Sequence, residues 1–360
     1  MSNETKMKIR DSNFELLRVL SMYMIVVLHI GTHGIQNYID VSVSLSDYNE
    51  LIYYFIRTLA IIAVSLYVLM SGYFSKKSKF QLSKLIELFL EVSFFSTVIY
   101  LVNVMIGVVD FNFVVLLNSL FSVLTGEYWF VTVYFVLYAI SPFLNILIDN
   151  MVKKEHLYLL VISFLIFSVW QFIYPIEFIG VSSGYGLVYF VFLYMLAAYL
   201  QKYDFVIKDF KRNTYLFLYI VLAVFISLVI YWFGGIGRML SYNSPLVMLM
   251  SYCLFQYFKM LKIKSPKINL ASTYVFGIYL IHEQSSFRQV LWGELGIIED
   301  IIGSNANLII LKMIGYTVIV FIICWVLSVV IKTMYNFSYK ILYKTVSRLI
   351  DYKSVKEVKV

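Results

Sequence analysis

The sequence predicts an all-α, polytopic membrane protein of about ten transmembrane helices with both termini in the cytoplasm. Three observations carry that prediction. Of the 360 residues, 61% are hydrophobic and 14% charged, and the mean hydropathy is +0.83; a soluble domain holds about 25% charged residues. Apolar runs of helical length recur along the whole chain. The Lys and Arg residues between the runs fall almost wholly in alternate connections, as the positive-inside rule requires. Length alone would allow two soluble domains, but the runs leave no gap long enough for one.

The first run, 13–34, follows Lys6, Lys8 and Arg10, and the stretch Gly31-Thr32-His33-Gly34 offers no convincing cleavage site, so an uncleaved first helix is expected. The second, 52–74, returns to Lys76, Lys77, Lys79 and Lys84, and the third, 84–106, leaves that side again. The apolar piece 112–124 is too short to span and reads as interfacial or re-entrant. Run 128–148 comes back to Lys153 and Lys154; 157–174 and 185–201 form the next pair, returning to Lys202, Lys208, Lys211 and Arg212. Runs 214–233 and 244–261 end at Lys259, Lys262, Lys264 and Lys267, and runs 270–288 and 308–331 end at Lys332.

Twenty-four of the 29 Lys and Arg residues thus lie on one side and only Arg238 and Arg288 on the other, with Arg18, Arg57 and Lys312 inside spans. One missed or extra helix would scramble that alternation. The membrane domain is taken as 1–335. Residues 336–360 mix Phe337, Tyr339 and Tyr343 with Lys340, Lys344 and Arg348, a pattern suited to a helix on the inner membrane surface.

The net charge of +8 is placed where membrane topology wants it, so no nucleic-acid partner is expected; the partners are membrane lipid and a substrate. Cys253 and Cys324 both fall within apolar runs, which argues against a disulfide framework or a cysteine metal site. No oligomeric state is assigned.

Chemistry points to the first helix. Arg18 and His29 are eleven residues apart, about three turns, so they share one face and stand roughly 16 Å apart along the axis. An Arg within a span costs about 2.5–3.5 kcal/mol of insertion free energy and by default marks a functional site. Counting along each helix puts His29 roughly 24 Å, Arg57 roughly 20 Å and His282 roughly 18 Å from the inner end, with Arg18 at roughly 8 Å. Glu127, Tyr128 and Trp129 open the fourth helix at the outer mouth. Structural alternatives stand beside each: Arg18 paired with Glu15 or snorkelling inward, Arg57 snorkelling outward, His282 and Glu283 as a polar helix end. His29, flanked by Val27, Leu28 and Ile30, has the weakest such alternative. A His29/His33 metal pair has no third ligand in evidence, so no metal is expected.

Arg18, ten residues and then His29 resembles the R/K-x10-H signature of the integral-membrane acyltransferase-3 family, which includes O-acetyltransferases of surface glycans. Three further stretches resemble the same family. They are Arg57 followed by Tyr67 and Ser71-Gly72-Tyr73; Glu127-Tyr128-Trp129-Phe130 with Tyr138 and Ser141-Pro142-Phe143-Leu144-Asn145; and Phe276-Gly277-Ile278-Tyr279-Leu280-Ile281-His282. The chain departs from many relatives in carrying lysines, Lys76, Lys77, Lys79 and Lys84, where they carry arginines in the first cytoplasmic loop. It also has no long extracellular hydrolase-like region, so acyl handover is expected within the membrane part.

The resemblance implies a multi-pass enzyme of the bacterial plasma membrane. It would move an acyl group, most often acetyl, from cytoplasmic acyl-CoA to a hydroxyl of a surface or lipid-linked glycan. On that reading His29 takes the acceptor proton, or carries the acyl group covalently. Arg18 or Arg57 steadies negative charge on the thioester or orients the donor. Arg57, Glu127, Tyr128, Trp129 and His282 shape the sugar site, and Lys76, Lys77, Lys79 and Lys84 receive the donor. Acyl-CoA, with acetyl-CoA as the expected form, is a co-substrate. The rival functions are a lipid-linked-sugar flippase or transporter and a glycan polymerase. No repeat symmetry and no Gly/Pro-interrupted helix pair supports transport, and the short external gaps do not suit a polymerase.

Overall fold

The computed structural model describes residues 11–35, 47–75, 80–174, 180–207, 210–304 and 306–357, and among them every regular element is helical. Lys76, Lys77 and Lys79 lie outside the described residues. Seven helices are long and apolar enough to cross a membrane, among them Ser12–Ile35, Asn49–Phe74, Leu82–Met105, Trp129–Asn150 and Leu308–Ile341. The chain is a multi-pass membrane protein. The remaining three expected spans are also helical but shorter or broken, as described next.

Helix α1 (Ser12–His29) continues as a π-helical turn, Ile30–Ile35. The second run is two helices, α2 (Asp47–Ala60) and α3 (Ala63–Ser75), meeting at a turn. Helix α4 (Leu82–Met105) is followed by the eight-residue α5 (Phe113–Leu120), capped by the Asn112 side chain on the Val114 and Val115 amides. At roughly 12 Å long, α5 cannot span. Then come α6 (Trp129–Asn150), α7 (Lys153–Phe164, extended by a π segment to Trp170), α8 (Leu187–Lys202), α9 (Arg212–Phe233) and α10 (Pro245–Lys259).

The ninth run, expected as one helix over 270–288, is three pieces: α11 (Pro266–Ser272), α12 (Val275–His282) and α13 (Ser285–Gln289). The short α14 (Ile297–Ile302) leads to α15 (Ala306–Glu357), a single helix of 52 residues with no break at 335.

Helix α1 is the axis of the bundle. Its apolar window is 61% buried against 22% for α6, and it packs on α2, α3, α10, α11, α12 and α15. That position requires polar ends to be satisfied inside the protein. Asn13 Nδ2 donates to the Phe258 carbonyl at 2.9 Å, and the Tyr67 hydroxyl donates to the Arg18 carbonyl at 2.9 Å. Two glycines allow close approach. A Cβ on Gly72 would strike the Tyr194 backbone of α8, and one on Gly277 would strike Ser328 of α15 and Phe95 of α4. Both cysteines are free and buried.

Candidate active site

The face of α1 that starts at Arg18 continues through Met22 and Ile25 to His29, a spacing of four, three and four residues that keeps all four on one side. Under the first three of these residues lies a cavity of about 440 Å³. Its walls are mostly apolar, with Met70, Leu88, Val131 and Phe276 among them. Its charged groups are Arg18, Glu91 and Lys332. Arg18 is ion-paired to Glu15 at 2.7 Å, so it both makes the structural pair weighed from the sequence and faces the cavity. Lys332 pairs with Glu91. Ser71 and Tyr134, hydrogen-bonded at 3.2 Å, also line the cavity. Lys84 is exposed in the first turn of α4.

Beyond Tyr279, which closes one part of the cavity wall, sits a polar cluster. His29 Nδ1 is 2.9 Å from both His282 Nε2 and Glu283 Oε2. Glu283 Oε1 takes Arg288 at 2.8 Å and His33 at 3.2 Å. His33 lies one turn beyond His29, and the two rings are 5.1 Å apart. His282 is fully buried and Glu283 nearly so. The helix-depth count for His29 and His282 therefore describes a direct contact between helices α1 and α12.

Tautomers follow from the partners. His282 Nδ1 is 2.6 Å from the Ile278 carbonyl, an acceptor only, so that nitrogen carries the proton and Nε2 of His282 accepts. The His29 proton then belongs on Nδ1, directed at His282 Nε2 and adjoining the Glu283 carboxylate. This leaves His29 Nε2 with its lone pair.

Glu283 caps α12 with its amide still on the Tyr279 carbonyl at 3.1 Å, and the break follows it. Helix α12 ends there, and the backbone turns through Glu283 and Gln284 before α13. Two side chains hold the turn: Glu127 Oε1 accepts the Ser285 amide at 2.8 Å, and Gln284 Oε1 accepts the Phe287 amide at 3.0 Å. Tyr128, fully buried, donates from its hydroxyl to the Leu280 carbonyl at 2.9 Å. Glu127 and Tyr128 thus hold the α12–α13 region in place.

Trp129 belongs to an aromatic group with Tyr185 and Tyr242, at centroid distances of 4.5 and 6.0 Å. Burial pushes both tyrosine hydroxyls up, and the Arg57 charge opposes that shift. Arg57 reaches the Tyr53 hydroxyl at 3.3 Å, and Tyr53 in turn bonds the Gly31 carbonyl beside His29. Arg57 is thus linked through Tyr53 to the backbone near His29, and Trp129 packs on the two tyrosines near the Arg57 charge. Sequence reasoning passed over Arg288, Tyr185 and Tyr242; a lone Arg near the end of the ninth run was the only signal for the first.

His29, His33 and Glu283 each offer a ligand atom within 4.8 Å of one another, a spacing open to a metal ion. The third ligand missing from the sequence is thus Glu283. The Arg288 guanidinium already supplies a cation to that carboxylate, so the donor set suits an imidazole–carboxylate pair better than a metal.

The family described as an acyltransferase domain matches residues 11–329. The chain belongs to the acyltransferase-3 family and is a membrane acyltransferase. No curated protein and no solved structure matches it.

Proposed function

We propose that the protein transfers an acyl group, acetyl in the first instance, from cytoplasmic acyl-CoA to a hydroxyl of a surface or lipid-linked glycan. It does so in a bacterial plasma membrane, with ten spans and both termini on the donor side. The observation that carries this reading is the single α1 face on which Arg18, Met22 and Ile25 line an apolar cavity and His29 stands at its head.

The pantetheine arm occupies the cavity past Arg18, and Lys76, Lys77, Lys79 and Lys84 of the first loop receive the CoA phosphates. The acceptor enters from the region of Arg57, Trp129, Tyr185 and Tyr242, whose ring faces suit a pyranose. His29 Nε2 takes the proton of the acceptor hydroxyl, and Glu283, beside Nδ1, stabilises the imidazolium that forms. The acceptor oxygen bonds to the thioester carbon, the C–S bond breaks, and the CoA sulfur leaves with the proton that His29 held. Atoms and charge balance without any further reagent.

The test uses inverted membrane vesicles bearing the wild type or His29→Ala, with labelled acetyl-CoA supplied to the exposed cytoplasmic face. Label should enter glycan only with the wild type. Equal labelling by the variant would remove His29 from the chemistry. No labelling by either, with acceptor glycan present, would remove the reading.

A further inference from the structure

Tyr279 separates the cavity from the histidine cluster and touches both. It lines the cavity, and its ring centroid lies 6.4 Å from that of His29 and 6.1 Å from that of His282. Its ring is held between Tyr128, at 5.8 Å, and Phe130, edge-on at 6.2 Å. The side chain is 4% exposed; its hydroxyl oxygen lies by the Phe130 amide, and its O–H proton has no acceptor. Neighbouring tyrosines differ. The hydroxyls of Tyr67, Tyr128 and Tyr189 each donate to a backbone carbonyl, so burial alone does not leave a tyrosine O–H without an acceptor here.

A phenylalanine would make every ring contact that Tyr279 makes. What tyrosine adds is a buried O–H whose proton finds no acceptor in the fold, and a buried donor without an acceptor costs stability. Its position, between the place for the thioester and the base, is where negative charge develops on the acyl oxygen.

We propose that Tyr279 is a catalytic residue whose O–H donates a hydrogen bond to the thioester carbonyl oxygen during acyl transfer. This rests on the acyl-transfer reading above. As the acceptor oxygen attacks, the C=O electron pair moves onto the carbonyl oxygen, and Tyr279 holds that oxyanion. When the C–S bond breaks, the pair returns to re-form C=O. The tyrosine keeps its own proton throughout, and proton transfer stays with His29.

The experiment compares Tyr279→Phe with wild type in the same inverted vesicles, titrating labelled acetyl-CoA, and measures the melting temperature of each purified protein in detergent. Loss of one oxyanion donor lowers kcat by about 10²–10³-fold. The expected result is that fall, with KM for acetyl-CoA within about threefold and no drop in melting temperature. A kcat within about threefold of wild type overturns the proposal. So does a lost kcat accompanied by a raised KM or a lowered melting temperature, because packing would then explain it. A wild type that transfers no label overturns the parent reading and this role with it.

Discussion

At the scale of the residue, the chemistry reduces to one imidazole whose two nitrogens have different work. Nδ1 of His29 is held by His282 and Glu283, and Nε2 is left to take a proton. Glu283→Gln keeps the side-chain volume and removes the charge that stabilises the imidazolium. It should lower initial acyl transfer by about 10²-fold or more, within the range for general-base assistance, while the protein still elutes as a single folded species. Activity unchanged in that variant would detach Glu283 from catalysis. Should a metal bind His29, His33 and Glu283 instead, exhaustive chelation would abolish transfer and added Zn²⁺ would restore it. The Arg288 contact leads us to expect full activity after chelation.

Much of this was legible from spacing. Arg18 and His29 could be placed on one face by counting, and His282 at the level of His29, because helical rise is fixed. The Glu283–Arg288 pair could not. In a continuous helix residues five apart point about 140° away from each other, and only the turn at Gln284 lets Arg288 reach Glu283.

At the scale of the element, the site depends on helices that stop. Helix α1 loosens into a π turn immediately after His29, and α12 ends at His282. Neither interruption carries proline. Both are stabilised by partners distant in sequence, Tyr53 on the Gly31 carbonyl and Glu127 on the Ser285 amide, which is why hydropathy gave a single ninth helix. Glu127→Gln retains an acceptor for that amide and should keep most activity. Glu127→Leu leaves the amide unsatisfied and should cost about 1 kcal/mol, with a larger proportional loss of transfer, both read by thermal melts and initial rates.

Gly277 tests how tightly this segment is held. Gly277→Val forces a side chain into Ser328 and Phe95 and should destabilise by about 1–3 kcal/mol, seen as a lower melting temperature in detergent. A variant as stable as wild type would mean that α12 can shift away from α15, and the position of His282 would then be less fixed than the contacts imply.

At the scale of the whole molecule, seven of the ten expected spans are helices long and apolar enough to cross a membrane. Several expected spans end within a few residues of the observed helices, Asn49–Phe74 for 52–74 and Leu82–Met105 for 84–106, because membrane thickness and Lys/Arg flanks both mark them, whereas the last helix runs well past 331. What the pattern did not reveal is the cavity. Its lining comes from α1, α3, α4, α6, α11, α12 and α15, and no local periodicity reports which faces of seven helices converge.

The central claim is that this cavity opens to the cytoplasm and carries the acyl donor toward His29. Ser71 lines it and is half-buried, whereas Cys253 and Cys324 are buried and free. The most direct measurement is the alkylation rate of Ser71→Cys by a membrane-impermeant maleimide, applied to either face of sealed vesicles with and without acetyl-CoA. The account predicts labelling from the cytoplasmic face that acetyl-CoA slows. Labelling only from the opposite face, or labelling from the cytoplasmic face that acetyl-CoA leaves unchanged, would contradict it.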